Sequence, residues 1–347
     1  GGDEFAVLLE DKLEPQDMFH IISRLLSRVE QPYEISELRL RIQASIGVVV
    51  DTARDRFSAE EILRNADIAM YRVKEGGTDR FKLFDQKMHQ EVVRAINLES
   101  ELQSAIENNE LVLHYQPIVK AHSMALVGFE ALVRWPHPKQ GLINPDAFIP
   151  LAEETGLIQP LDRWVLKEAG RQLNEWRSRL GKAQDLTMSV NLSGREFQQT
   201  GLEDVLLSSV VDNGLAPGDI MLEMTENVLM SNAATYIERM AAIKAMGFKL
   251  GIDDFGTGYS SLAYLHNFPI DFLKIDRSFV SGSSQVNEAI VRLVAAMGSA
   301  LGLTVVAEGV ENEDQLDMLK EAGCDHLQGF LVSRPMDCVA AEEYIRQ

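Results

Sequence analysis

Residues 249–262, which read KLGIDDFGTGYSSL, decide how the rest of this sequence is interpreted. An apolar run ends there in two adjacent acids, Asp253 and Asp254, and a glycine-rich turn follows at once. A regular strand cannot easily bury both acids, because neighbouring side chains point to opposite faces. Paired carboxylates at the end of a strand therefore indicate either a site for divalent cations or a solvated loop. Polar residues elsewhere in the chain distinguish these two interpretations.

Composition limits the class of protein. The 347 residues suffice for one large domain, or for one large and one small domain, and 46% hydrophobic with 25% charged residues is typical of a globular protein. A formal net charge of −20 argues against binding of polymeric nucleic acid by general electrostatics. With only Cys324 and Cys338, a disulfide framework is excluded and a cytoplasmic protein is expected. The longest apolar stretch, 293–307, contains two glycines and predicts no membrane segment, although an anchored region upstream in a longer parent stays open.

The N-terminal part of the sequence predicts a small α+β unit. Gly1 and Gly2 suit a hairpin turn, and the alternation of Phe5, Val7 and Leu9 suits the strand that leaves it. A domain that starts on a hairpin turn lacks its first strand, so a fragment of a longer domain is expected. The predicted elements that follow are a helix at 17–31, a strand pair at 38–50, a helix at 58–75 with a capping box of Ser58 and Glu61, a strand at 81–84 and a rigid helical connector at 86–108.

The remaining sequence alternates apolar strands with amphipathic helices. Eight strand candidates lie at 111–119, 125–135, 186–192, 220–225, 250–254, 272–275, 305–307 and 326–331, and helices are predicted at 161–180, 233–246, 287–301 and 313–322. Eight such repeats in about 240 residues predict an α/β fold of the (β/α)8 TIM-like barrel class. Because only a short turn separates the first two strands, that pair is predicted to be antiparallel.

Polar residues follow the ends of successive predicted strands. Barrel active sites lie at the C-terminal ends of their strands, and these positions carry Glu130, Asn191, Glu223, Asp253, Asp254, Lys274, Glu308 and Gln328. One carboxylate at a strand end is usually solvated, but so many on one rim favour a metal site, since without cations they would repel each other. Oxygen ligands of this kind favour Mg²⁺ or Mn²⁺. Two such ions, with a neighbouring lysine, suit the hydrolysis of a phosphodiester.

The order of these motifs is similar to that of a known family. GFEALVRW around Glu130, NLS at Asn191, EMTE at Glu223, DDFGTGYSSL, FLKID, AEGVE and QGFLVSRP together resemble the EAL-domain family of cyclic di-GMP phosphodiesterases, from about residue 98 to the C-terminus. The resemblance implies a barrel that uses two divalent cations, Mg²⁺ or Mn²⁺, to open cyclic di-GMP to linear pGpG. It also implies a homodimer and a role in lowering this bacterial second messenger.

Carried over by position, the resemblance assigns a role to each polar residue. It implies a first metal site of Glu130, Asn191, Glu223 and Asp253, and a second metal site that Asp253 and Asp254 share. The catalytic positions are Lys274 and Glu308, which handle the water, with Glu130 and Asp254, and the substrate contacts are Gln116, Arg134 and Gln328, the last of which also orders that part of the site. Glu226 is expected to anchor the loop 255–261, whose order is tied to dimer contacts. Glu196 stands where the family often has glutamine after NLS, a departure that is not expected to abolish catalysis.

The N-terminal part resembles the C-terminal half of a GGDEF (diguanylate cyclase) domain. The motif is Gly1, Gly2, Asp3, Glu4 and Phe5, and ADIAMYRVKEGG from Ala66 is similar to a late helix of that family. We therefore expect a partial GGDEF domain at 1–86, a connector at 87–108 and an EAL domain at 98–347. The family's first metal-binding aspartate precedes the motif, so this half is not expected to make cyclic di-GMP. Two alternatives stay open: a cyclic di-GMP receptor without hydrolysis, and a bifunctional parent whose intact GGDEF domain cyclises GTP or binds it as an activator.

Overall fold

The chain forms two compact units, which divide at Ser100. The structure, a computed structural model, describes residues 4–9, 15–29, 31, 33–35, 38–40, 42–50, 57–76, 80–231, 233–257, 265–282 and 284–347. The units are Gly1–Ser100 and Glu101–Gln347. Across the described ranges, no helix is both long enough and apolar enough to cross a membrane. The division falls inside the predicted connector, whose exact bounds remain a prediction.

The first unit is a small α+β arrangement. Its elements are helix α1 (Pro15–Val29), strands β1 (Tyr33–Ile35), β2 (Leu38–Leu40) and β3 (Ile46–Val48), helix α2 (Ala59–Gly76), strand β4 (Phe81–Leu83) and the start of helix α3 (Gln86–Glu107). Strand β3 pairs with β4 in parallel, and α2 connects them as the crossover that parallel strands require. The capping box is confirmed, because the Ser58 amide donates to Glu61 Oε2 (2.7 Å) and the Glu61 amide donates to Ser58 Oγ (3.2 Å).

Two predictions for this unit are wrong. The strand pair predicted at 38–50 exists as β2 and β3, but β2 pairs with β1 and β3 pairs with β4. Residues 4–9 form neither helix nor strand, and Phe5 is 91% exposed. Alternating apolar residues make a strand only when a neighbouring strand accepts the hydrogen bonds and one face is covered, and the alternation alone supplies neither.

The second unit is a closed eight-stranded barrel, as predicted. Its strands are β5 (Val112–Lys120), β6 (Leu126–His137), β8 (Thr187–Asn191), β9 (Ile220–Thr225), β10 (Lys249–Phe255), β11 (Phe272–Ile275), β12 (Thr304–Ala307) and β13 (His326–Leu327), with β7 (Gly141–Ile143) paired to the outer part of β6. Strand β5 closes the barrel by pairing antiparallel with both β6 and β13, and the other neighbouring barrel strands pair in parallel. The predicted antiparallel first pair is confirmed.

The last strand is shorter than the predicted 326–331. After Leu327 the chain folds against the segment that follows β12: the Val310 amide donates to the Gln328 carbonyl (3.2 Å). A Cβ placed on Gly329 would lie 2.2 Å from the backbone of Val310, so only glycine permits this approach. The strand therefore ends early, and Gln328 is left at the barrel mouth.

Helices surround the barrel and begin and end with recognisable caps. They are α4 (Pro145–Thr155), α5 (Ile158–Arg179), α6 (Gly194–Phe197), α7 (Leu202–Val211), α8 (Glu226–Ser231), α9 (Ala233–Ala245), α10 (Arg277–Ser281), α11 (Gln285–Leu301), α12 (Glu313–Ala322) and α13 (Cys338–Arg346). Ser284 caps α11 through its side chain, and Asn312 with Gln315 forms a capping box on α12. The four helices predicted in this unit are all present.

Candidate metal centre

A buried ammonium group lies among four carboxylates inside the barrel. Lys274, on β11, is 1% exposed, and its Nζ lies 2.8 Å from Glu223 Oε2, 3.3 Å from Glu130 Oε2, 3.3 Å from Asp253 Oδ1 and 2.5 Å from Glu308 Oε1. These side chains come from five different barrel strands or their immediate ends. One positive charge does not balance four carboxylates, so the cluster as a whole favours the binding of further cations.

Amide side chains hold Glu130 in this cluster. Asn191 Nδ2 donates to Glu130 Oε1 (2.6 Å), and Gln328 Nε2 donates to Glu130 Oε2 (2.6 Å). Gln328 Nε2 also lies 3.0 Å from Gln116 Oε1, and Gln116 Nε2 donates to the Ser333 carbonyl (3.1 Å). Strand β5 pairs antiparallel with β6, and in this register Gln116 lies directly opposite Glu130. The predicted residues Gln116, Asn191 and Gln328 are thus brought together around one carboxylate.

Two groups of carboxylates have the geometry to hold metal ions. Glu130, Glu223 and Asp253 offer oxygen atoms within 4.8 Å of one another, and Asp253, Asp254 and Glu308 do the same. Asp253 belongs to both groups, as a bridging ligand would. Glu223 Oε1 is buried and has no hydrogen-bond partner among the residues that the structure describes. A buried acceptor without a partner is costly, and a hard cation would satisfy it.

The backbone at Asp254 explains how two adjacent acids join one site. Asp254 has a φ of 53°, and the pairing of β10 with β11 shifts register between Ile252 and Phe255. In a regular strand the two carboxylates would point to opposite faces. The left-handed conformation and the bulge redirect Asp254 so that its carboxylate meets those of Asp253 and Glu308, a device common beside active sites.

Burial and mutual repulsion shift the proton affinities in the cluster. Burial raises the pKa of Glu223 to about 8, and it raises the pKa of Glu308 well above its usual range. Burial, followed by the charge of Asp253, raises the pKa of Asp254 to about 6. Burial alone would lower the pKa of Lys274, but the surrounding carboxylates outweigh it and raise that pKa. Bound cations would reverse the shifts of the carboxylates and release protons.

Glu226 contacts the start of the loop that follows β10. Its buried Oε2 accepts the backbone N–H of Gly256 (2.8 Å). Gly256 has a φ of 101°, and a Cβ there would lie 2.8 Å from Phe279 Cε2, so the position requires glycine. The contact supports the predicted anchoring role, which itself remains a prediction. Residues 258–261 of that loop lie outside the described residues.

The positions of the other predicted site residues differ from expectation in part. Glu130 is the fifth of twelve residues in β6, well inside the strand rather than at its end. Arg134 lies four residues further along β6 and donates Nη1 to the Val133 carbonyl (2.8 Å), and burial lowers its pKa. The roles of Gln116, Arg134 and Gln328 in substrate binding remain predictions. Within the GGDEF motif, Gly1, Gly2 and Asp3 lie outside the described residues.

The structure adds two features of the site that sequence reasoning did not predict. The Glu308 carboxylate belongs to the second group of candidate metal ligands, while its expected role toward water stays a prediction. Asn191 Nδ2 donates to Glu130, while the expected role of Asn191 as a metal ligand stays a prediction. Because Glu308 directly follows β12, the sequence predicted its position on the rim of the barrel, but not how deeply its carboxylate is buried. The contact between Gln116 and the Ser333 carbonyl could not be predicted from the sequence, because every residue has a backbone carbonyl.

Comparison with known proteins agrees with the fold. The EAL domain model matches residues 99–335, and the model described as "Diguanylate cyclase, GGDEF domain" matches residues 1–80. The chain therefore belongs to the EAL domain family, with a GGDEF segment in front of the EAL domain.

Relatives with assigned names share this arrangement. The chain is 43% identical over 338 residues to the bifunctional diguanylate cyclase/cyclic di-GMP phosphodiesterase MucR of Pseudomonas aeruginosa, covering 97% of this chain and 49% of MucR. It is 37% identical over 349 residues to the cyclic di-GMP phosphodiesterase PdeR of Escherichia coli, covering 100% of this chain and 52% of PdeR. The chain thus spans about half the length of these relatives.

Among solved structures, the phosphodiesterase of PaMucR in complex with c-di-GMP is similar, with a TM-score of 0.68 and 44% identity over 71% of this chain and 99% of that one.

Proposed function

We propose that this chain hydrolyses cyclic di-GMP to linear pGpG with the help of two divalent cations, Mg²⁺ or Mn²⁺. The observation that carries the proposal is the pair of carboxylate groups that share Asp253 beside the buried Lys274. The names of the relatives, which include cyclic di-GMP phosphodiesterases, support the choice of substrate. A cytoplasmic location remains a prediction from the cysteine content.

Different side chains of the cluster would have different roles in such a reaction. Glu130, Asn191, Glu223 and Asp253 would hold one cation, and Asp253 and Asp254, joined by Glu308, would hold the other. Bound cations supply the Lewis acidity that water attack on a phosphodiester requires. Asn191 and Gln328 fix the orientation of Glu130 through their hydrogen bonds.

Lys274 contributes a fixed positive charge. The surrounding carboxylates raise its pKa, so the ammonium stays protonated at neutral pH. A buried, permanent cation beside the reacting phosphate would stabilise charge that develops in the transition state. Gln116 and Arg134, on neighbouring strands β5 and β6, would bind the base and phosphate of the substrate.

Chromatography of cyclic di-GMP incubated with the chain tests the proposal directly. With Mg²⁺ or Mn²⁺ present we expect conversion to pGpG, and with chelator we expect none. Glu130→Ala should abolish turnover, and unchanged hydrolysis by this variant would contradict the assignment of the site. Binding of intact cyclic di-GMP in the presence of Mg²⁺, without cleavage, would instead favour the receptor alternative.

We also infer that the barrel unit forms a homodimer through helix α11. Val286 and Leu293 are 67% and 60% exposed, and the exposed residues Ala289, Ala296 and Ala300 continue the same face. Their spacing of three and four residues places them on one stripe of the helix, as in helix pairs that pack together. Light scattering of the wild-type chain and of Leu293→Glu tests this: a monomeric wild type would contradict it.

A role for GTP concerns the longer protein. The residues matched to the GGDEF domain are its C-terminal part by resemblance, and the relatives are about twice as long as this chain. We propose that an intact GGDEF domain in such a parent binds GTP, either for cyclisation or as an activator of the phosphodiesterase. Incubation of the parent with GTP, with cyclic di-GMP formation and hydrolysis measured separately, distinguishes the two.

A further inference from the structure

We propose that Asp162 and Arg163, on helix α5, are positioning residues for the metal centre. Together they hold the segment 191–197, which carries Asn191 into hydrogen-bond contact with Glu130. The inference rests on the proposed metal site, but its test measures metal binding and not hydrolysis alone. Neither residue belongs to the carboxylate cluster around Lys274.

Two consecutive residues of α5 form hydrogen bonds with two residues of the segment 191–197. Asp162 Oδ2 accepts the backbone N–H of Ser193 (3.0 Å), and Arg163 Nε donates to Glu196 Oε1 (2.7 Å). The two points are themselves joined, because Ser193 Oγ accepts the backbone N–H of Glu196 (3.2 Å). The segment is thereby fixed to a helix of 22 residues at both ends of its single helical turn.

The segment requires such external support. Helix α6 has only four residues, and one turn of helix is not stable by itself. Just before it, the Leu192 amide donates to the Glu223 carbonyl (2.8 Å), which fixes the backbone beside Asn191 on its barrel side. Contacts from α5 add hydrogen bonds at Ser193 and Glu196. Without them, the direction in which the chain leaves β8, and so the placement of Asn191, depends on the Leu192 contact and on packing such as that of Phe197 against Tyr236.

The chemistry of the contacts favours a specific geometric role. Asp162 is 7% exposed and Glu196 is fully buried, and no hydrogen-bond partner for Glu196 Oε2 is found within the described parts of the chain. Apolar residues of similar size would serve packing alone at least as well, since burying carboxylates is costly. Charged contacts fix directions that apolar packing does not. A purely structural role would affect stability without changing the metal site selectively.

The expected effect follows from how closely Asn191 and Glu130 are placed. Their contact of 2.6 Å orients a carboxylate whose other oxygen contacts Gln328 and Lys274. Loss of a residue that orients a metal ligand typically weakens metal affinity by about 10- to 100-fold. We expect Asp162→Ala to weaken Mn²⁺ binding by about this factor.

The test is calorimetric titration of the full chain with Mn²⁺, with the unfolding temperature of the metal-free protein measured in parallel. Asp162→Asn keeps an oxygen that accepts the Ser193 amide, so it should restore Mn²⁺ affinity to near the wild-type value. Arg171→Met is the matched control on the same helix, because Arg171 pairs only with Glu168, Gln172 and Glu175 of α5 among its described hydrogen bonds. This control should leave Mn²⁺ affinity unchanged.

Other results would overturn the inference. Equal Mn²⁺ affinity of Asp162→Ala and wild type would do so, as would equal weakening by the alanine and asparagine variants. If Asp162→Ala does not fold, the variants Arg163→Met, Glu196→Met and their combination replace it, because each removes the contact between the two side chains. The two single changes should weaken Mn²⁺ binding, and the double variant should be no weaker than the worse single one. Additive losses would contradict a shared contact.

The outcome is separable from that of the proposed function. A wild type that binds Mn²⁺ but does not cleave cyclic di-GMP refutes the phosphodiesterase while the variants still test the positioning role. A wild type that binds no Mn²⁺ overturns both.

Discussion

The buried Lys274 Nζ lies 2.8 Å from Glu223 Oε2 inside the barrel unit. The lysine also lies within 3.3 Å of Glu130 and Asp253 and closer to Glu308. When one partner of a buried pair is removed, the other charge is left without compensation. In the metal-free protein, the Lys274 ammonium is therefore the main compensation for the buried carboxylate charge.

Replacement of Lys274 should expose this dependence. We expect Lys274→Met to lower the free energy of unfolding of the metal-free protein by about 3–5 kcal/mol. Mg²⁺ should then raise the unfolding temperature more in the variant than in wild type, because the cation takes over the compensation. Unfolding with chelator and with Mg²⁺ measures both effects. Lys249→Met is the control, since the Lys249 ammonium is half-exposed and pairs with Asp271 at 3.2 Å; a similar loss of stability there would contradict the argument.

Replacement of Glu223 should separate function from stability. Glu223→Gln keeps the shape and an oxygen for Lys274 but removes the charge, so we expect hydrolysis to fall by at least about 100-fold, since a metal ion stabilises the transition state by several kcal/mol. Burial raises the pKa of Glu223 to about 8, so the metal-free variant should be at least as stable as wild type. Initial rates and thermal unfolding check the two halves. Glu321→Gln, an exposed carboxylate on α12, should change neither.

Sequence patterns predict some features of this site and not others. Strand alternation shows which face a side chain takes, and the helices between strands show that the strands are parallel, so the barrel and the set of converging residues were predictable. The alternation does not show how far along a strand a residue lies. Glu130 lies in the middle of β6, because that strand extends well past the others toward the mouth of the barrel. The conformation of Asp254 was equally hidden, since a positive φ at a non-glycine residue depends on tertiary contacts.

Contacts between distant segments were also beyond the sequence. Asp162 and Arg163 occupy ordinary helical positions, and their partners Ser193 and Glu196 are some thirty residues away. Glu196 departs from the glutamine common in the family, and nothing in the sequence identified Arg163 as its partner. Residues 4–9 show the converse: they have the alternating pattern of a strand, but no strand in the described part of the chain pairs with them.

The loop after β10 should be sensitive to a single methyl group. Gly256 has a φ of 101° and lies against Phe279, so Gly256→Ala combines backbone strain with a close contact. We expect a loss of about 1–3 kcal/mol in the free energy of unfolding. Because the Gly256 amide binds Glu226 and lies two residues from Asp254, Mn²⁺ affinity should fall as well. Urea unfolding and Mn²⁺ titration measure these effects.

Gly218→Ala is the control for that change. Gly218 lies at a turn of the same unit, where an added Cβ meets its nearest neighbour at 3.5 Å, and no positive φ is recorded there. The alanine variant should lose little stability and retain its metal affinity. If both glycine variants behaved alike, strain at Gly256 would not be the cause.

The buried carboxyl of Asp162 should make stability depend on pH. Burial raises its pKa from 3.8 to about 7, against hydrogen bonds from Ser193 that lower it, and the nearby Glu196 and Glu153 raise it further. A raised pKa means that the folded protein binds this proton more tightly than the unfolded chain does. Asp162 therefore destabilises the fold least below pH 4, and the destabilisation grows as the pH rises toward 7. Its full size is about 4 kcal/mol, from about three pH units at 1.36 kcal/mol each.

Asp162→Asn removes this titration while keeping an acceptor for the Ser193 amide. Relative to wild type, the variant should gain stability progressively between pH 4 and pH 7, with a constant difference outside that window. Arg163 is retained in both proteins, so its pairing with Glu196 cancels in the comparison. Urea unfolding of the two metal-free proteins from pH 3.5 to pH 8 gives the difference at each pH. A difference that stays flat across the window would mean that the Asp162 carboxyl titrates near its ordinary pKa, and that the Ser193 hydrogen bonds and the charge of Arg163 compensate its burial.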